Sequence, residues 1–160
     1  MRWAWSEVLL RKFSEKYESI FRALGWKTEI SERVIRRVGG AERMVTIAIF
    51  RDGHVTIRHL TICEVAARDG RWIRIASTYN GNGVVRTRLD DHIWKAFYSQ
   101  LNRIIEHCVL DLIHEIGNLR LSGSARFSLA GLELEVGGTK VKIPVDRIAE
   151  TPKIIALASL

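Results

Sequence analysis

Between Met44 and Leu89 apolar and polar residues alternate almost position by position; on either side of that stretch apolar residues recur every third or fourth position. The first pattern belongs to strands with one buried face, the second to helices with one buried stripe. β-Branched runs interrupted at Arg51-Asp52-Gly53, Arg68-Asp69-Gly70 and Asn80-Gly81-Asn82-Gly83 predict four short antiparallel strands joined by three turns. Upstream, Trp5, Val8, Leu9, Phe13, Tyr17, Ile20, Phe21 and Leu24 mark one side of a helix over residues 3–24, ended by Gly25. Downstream, Asp90 and Asp91 cap a helix over residues 92–116, which Gly117 stops. Its apolar groups cover an arc of about 200°, wider than the roughly 100° stripe that covers one sheet, so this helix needs a second packing partner.

Residues 27–38 fit two patterns. Ile30, Val34, Ile35 and Val38 have helical spacing, whereas the run through Gly39 and Gly40 reads equally as two strands; a short helix from about Ser31 is the favoured expectation. Beyond Leu119 the strand pattern returns. Residues 132–143 alternate strictly around Gly137-Gly138, a hairpin with Glu133 and Glu135 facing Lys140 and Lys142, and Ala125 to Leu129 is a candidate third strand. The expected fold class is α+β: a four-stranded antiparallel sheet backed by a long helix and an N-terminal helix, with a C-terminal β-hairpin. Residues 1–118 form the helix-and-sheet domain in this reading, and residues 119–160 a hairpin and tail packed on it.

Splitting each strand by its period of two gives two faces. Val45, Ile47, Ile49, Val55, Ile57, Ile73, Ile75, Val85 and Leu89 form the expected core face. The other face carries Thr46, Ala48, Phe50, His54, Thr56, Arg58, Trp72, Arg74, Ala76, Thr78, Val84, Arg86 and Arg88, whose charged members are all arginines. Like charges on neighbouring strands repel, so such a face calls for an anionic partner. Guanidinium groups match phosphate in a fixed fork, and Phe50 and Trp72 would give bases a surface to stack on. The plain alternative is a solvated sheet face, with Trp72 tucked under a neighbouring helix.

Charge sharpens this picture. Residues 43–90 carry eight basic and four acidic groups, whereas residues 91–116 carry two and four, so the sheet is basic and the following helix acidic. The 18 arginines outnumber the 7 lysines, which favours bidentate contacts over loose screening. Arg33, Arg36 and Arg37 beside the first strand either extend the basic surface or solvate an edge. Cys63 and Cys108 read as small core thiols in a reducing compartment. With no tripartite leader and no apolar run long enough to cross a bilayer, the expected location is cytoplasmic.

Catalytic chemistry finds little support. The nucleophile elbow, the zinc-protease helix motif, the phosphate-binding glycine-lysine loop and the dinucleotide fingerprint are all missing from the sequence. His107, Asp111 and His114 share one helix face beside Glu106, a spacing that metal sites use, but they sit at the border of the apolar arc, where polar residues belong anyway. The expectation is a protein that is not an enzyme and that carries neither metal nor cofactor.

A helix, a short segment, four antiparallel strands with Phe50, Arg58, Trp72, Arg74, Arg86 and Arg88 on one face, and then a long helix: over residues 1–118 this layout resembles the ThermoDBP family of archaeal single-stranded DNA-binding proteins. It also resembles Whirly-type binders, in which four strands and a helix are followed by further strands. The first resemblance implies a helical layer behind a cradle-shaped sheet, a cleft flanked by basic residues that takes the single strand, and a homodimer. The hairpin over residues 132–143 departs from the founding type, which carries a zipper-like tail. The function expected is binding of single-stranded DNA, or RNA, with low sequence selectivity and no membrane partner. The competing expectation is an assembly module whose basic face docks an acidic protein.

Overall fold

The structure, a computed structural model, describes residues 4–53, 57–68, 72–79, 82–87, 92–117 and 122–160, with side chains at all of these except 4, 5, 67, 72–79, 82–87, 92–94 and 96. Arg88, named above among the binding residues, therefore lies outside the described residues, as do His54, Val55, Thr56 and Leu89. The fold is α+β with antiparallel sheets throughout. The chain divides into two compact units: Met1–Ser19 with Trp26–Gln100, and Ile20–Gly25 with Leu101–Leu160.

The first unit holds helix α1 (Ala4–Lys16) and a five-stranded sheet. Its strands, β1 (Lys27–Arg37), β2 (Gly40–Phe50), β3 (Arg58–Ala67), β4 (Trp72–Tyr79) and β5 (Asn82–Thr87), lie in sequence order as a meander. The helix expected near Ser31 is replaced by β1. All eleven of its residues pair with β2, from Lys27 opposite Phe50 to Arg37 opposite Gly40, and a ladder of that length outweighs a weak local helical spacing. Val38 and Gly39 close the hairpin, Gly39 at φ 90°, a conformation that glycine adopts without steric cost. The sheet thus has five strands where four were expected.

The N-terminal helix is also shorter than its periodicity suggests. It breaks at Tyr17, and α2 (Glu18–Ala23) follows. Tyr17 is fully buried, and its ring stacks on Tyr98 with centroids 5.8 Å apart. Burial, with Tyr98 close by, pushes the Tyr17 phenol well above its ordinary pKa. Helix α3 (His92–Ile116) has the boundaries that its caps indicate, and Phe97, Leu101, Ile104, Ile105, Cys108, Val109, Leu112 and Ile113 on it are all buried.

In the second unit, β6 (Gly123–Ser128), β7 (Gly131–Val136) and β8 (Thr139–Ile143) form a three-stranded antiparallel sheet, so the expected hairpin gains a strand. Glu133 pairs with Lys142 and Glu135 with Lys140, the pairing that the alternation indicates. Gly137 and Gly138 turn the chain at φ 55° and 86°. A Cβ at Gly123 would come within 2.8 Å of the Glu135 carbonyl oxygen and 3.0 Å of Ile113 Cγ2, so only glycine lets β6 approach both. After Pro144 the tail forms a 3-10 turn (Val145–Glu150) and helix α4 (Thr151–Ala158), with Ile148 and Ile155 buried. No described helix is long and apolar enough to cross a membrane.

Candidate nucleic-acid interface

Burial alternates strictly along β2. Ala41, Arg43, Val45, Ile47 and Ile49 are buried, and the residues between them are half-buried. In β3 the buried set is Arg58, Leu60, Ile62, Glu64 and Ala66. The inner face therefore comprises these residues, and the outer face Glu42, Met44, Thr46, Ala48 and Phe50 with His59, Thr61, Cys63 and Val65.

Paired residues share a face, so the registers extend these rows across the sheet. One outer row runs Arg33, Met44, Cys63, Ala76, Arg86. A second runs Ser31, Thr46, Thr61, Thr78, Val84, with the Thr46 and Thr61 hydroxyls 3.3 Å apart. A third runs Ile35, Glu42, Val65, Arg74. Basic positions thus stand toward the margins, with Lys27, Arg33 and Arg37 on β1 and Arg74 and Arg86 on β4 and β5, while β2 and β3, Glu42 apart, supply a floor of uncharged groups. Four inter-strand spacings of about 4.8 Å separate β1 from β5, a width of roughly 19 Å.

Of the six residues expected to bind, the structure brings Phe50, Arg74 and Arg86 to outer-face positions. Phe50 is half-buried at the end of β2, opposite Lys27. Arg58 is not on this face. It pairs with Ile49 and is only 9% exposed, because β3 begins at Arg58 and takes its phase from Leu60 and Ile62. Ile57, counted above with the core, precedes β3 and is 48% exposed. Trp72 also leaves the row. The register shift between Val65 and Ala66 sets Trp72 opposite Ala66, a fully buried inner-face residue, while Arg74 stays opposite Val65.

The face is not purely basic either. Once β1 joins the sheet and β2 starts at Gly40, Glu29 and Glu42 fall on the outer side. Glu42 is engaged by Arg37 at 3.7 Å and accepts from the Cys63 thiol at 3.3 Å, so Cys63 is an outer-face residue and not a core one. At the β2 end, Lys27 pairs with Asp52, and the Arg51 guanidinium lies 4.8 Å from the Trp26 ring centroid, a cation–π contact over a buried indole.

Two charged groups escaped the sequence reading. Glu64 is fully buried on the inner face, where the Ser6 backbone N–H and hydroxyl both donate to its carboxylate, the hydroxyl at 2.6 Å. Arg43, also buried, donates to the Ser6 hydroxyl at 2.9 Å and to Glu32 at 3.0 Å, and lies 3.6 Å from Glu7. Burial raises the Glu64 pKa, and the Ser6 bonds and the Arg43 charge offset part of that rise. The signal was present in the chain: both residues share the phase of the apolar residues around them.

In the second unit, a groove of about 850 Å³ runs along the small sheet, lined in part by Phe127, Gly131, Lys142 and Pro144. Its acidic members have partners within it, Glu106 accepting from the Phe127 N–H at 2.9 Å and Glu133 facing Lys142 at 3.9 Å. His107, Asp111 and His114 lie on α3, and among the described residues no three His, Cys, Asp or Glu side chains gather as a metal-holding group. Comparison of the chain with family models, with curated proteins and with solved structures finds no match in any of the three.

Proposed function

We propose that the outer face of the five-stranded sheet binds single-stranded nucleic acid, DNA foremost, as a non-enzymatic and weakly sequence-selective ligand platform. The observation that carries this reading is the row Arg33, Met44, Cys63, Ala76, Arg86, with a basic position at each margin and an uncharged floor between. Phosphates would engage the marginal arginines, joined by Lys27, Arg37 and Arg74, and bases would lie over the threonine and alanine floor, with Phe50 as a stacking ring at one end. Five basic positions against Glu29 and Glu42 leave the face net positive. The resemblance to ThermoDBP proteins points to the same ligand.

The test is a fluorescence-anisotropy titration of a labelled single-stranded oligonucleotide at low and high salt, with the duplex of the same sequence as competitor. Binding should weaken with salt by a logarithmic slope of about 0.7 for each phosphate contacted, and the duplex should compete poorly. Absence of binding at low salt would overturn the reading in favour of a face that docks an acidic protein.

A further inference from the structure

Strand β1 is unusual within its sheet. It is eleven residues long, stands at the sheet's margin, and is exposed along both faces except at Thr28 and Ile35. Among the described residues no strand pairs with its outward edge. Its inner-face row reads Thr28, Ile30, Glu32, Val34 and Arg36, and Val38 follows in the turn just past the strand. Ile30 is 45% exposed, Val34 40% and Val38 99%, three large apolar side chains at every fourth residue along one edge. An unpaired, partly apolar edge of this length is a template for adding another strand.

We infer that a second copy of this chain adds to this edge, antiparallel, about a two-fold axis through Val34 and normal to the sheet. Such an axis pairs only residues of the same face, so the candidate registers are few. Centred on Val34, Glu32 meets Arg36, Val34 meets its own copy, and Ile30 comes up against Val38 in the partner's turn. On the inner face apolar groups then oppose apolar groups and acid opposes base, twice over, while on the outer face Arg33 meets Ile35 and Ser31 meets Arg37. Centring on Glu32 instead sets that carboxylate against itself and Lys27 against Arg37, and centring on Arg33 sets two guanidinium groups face to face. Centring on Ser31 opposes Ile30 to Glu32, Val34 to Thr28 and Ile35 to Lys27, and so leaves no apolar pair at all. Glu32 accepts from Arg43 within its own chain, and a carboxylate has capacity for a second donor. The result is a ten-stranded sheet in which both outer faces look the same way. This inference stands on β1 alone and does not require that the outer face bind nucleic acid.

Sedimentation of the full chain should give twice the 18.3 kDa monomer mass. Val34→Lys sets two ammonium groups against each other at the axis and should raise the dimer dissociation constant at least tenfold, with an unchanged circular dichroism spectrum since the site is a partly exposed one. Val34→Cys should cross-link to a disulfide dimer under mild oxidation, whereas Ile30→Cys, which faces Val38, should cross-link far less. A monomer at all concentrations, a dimer indifferent to Val34→Lys, or equal cross-linking from positions 30 and 34 would each overturn the inference. A dimer that forms without binding any oligonucleotide would support it while sinking the nucleic-acid reading.

Discussion

In the three-stranded sheet the outward rows are Arg126, Glu133, Lys142 and Ser124, Glu135, Lys140, so each acid on the central strand stands beside at least one base. In the five-stranded sheet the central strands contribute mostly uncharged residues to the outer face, and the bases stand toward the margins with two carboxylates among them. Both sheets put apolar residues on the opposite face. What differs is where the countercharge resides. The small sheet carries its own on its middle strand and has no need of an external one. The large sheet pairs Arg37 with Glu42 and Lys27 with Asp52, but one of its rows has Arg33 and Arg86 as its two end positions, four strands apart, with no acid between them. That contrast is the reason for placing a polyanion on the large sheet and not on the small one.

The comparison can be broken most forcefully at the small sheet's core. Leu134 is buried beneath the Glu133 and Glu135 rows, and Leu134→Ala should cost about 2–5 kcal/mol in chemical denaturation. If only the large sheet binds, oligonucleotide affinity of the folded variant should equal that of the wild type. The next effect in size concerns the margins. Replacing Arg33 and Arg86 together by Glu should lower the logarithmic salt slope by about 1.4, or roughly 25-fold in affinity at 0.1 M salt relative to 1 M. The smallest effect tests the inner face. Glu64 has a raised pKa, so the native state binds its proton more tightly than the unfolded chain does. Stability should then fall as pH rises from the ordinary carboxylate range through the raised value, and Glu64→Gln should flatten that dependence in urea titrations between pH 4 and 7.

Much of this fold can be read from the chain because its signals are local. The span of α3, the turn at Gly137-Gly138 and the cross-strand pairs of Glu133 and Glu135 each depend on neighbours a few residues away, and each stands where the pattern places it. Strand β1 is the less favoured of the two readings that its sequence allows, because its polar composition gives no buried phase to read and only its partner strand fixes it. Arg58 and Trp72 were misplaced for a related reason. A period of two assigns faces correctly only from a known start and without interruption, and β3 begins later than its β-branched run suggests while β4 carries an irregularity opposite Ala66. Phe50, Arg74 and Arg86 lie in uninterrupted register, and their face could be read directly.

The bond between Ser6 and Glu64 has a consequence for how the chain is made. The first N–H groups of a helix have no acceptor within it, and in α1 the Ser6 donor finds one on a strand 58 residues further along. The Glu64 carboxyl also stands at the positive end of the α1 dipole. On a ribosome the amino-terminal helix therefore emerges long before its cap does. Its opening turn lacks that acceptor until β3 has been synthesised and has left the exit tunnel.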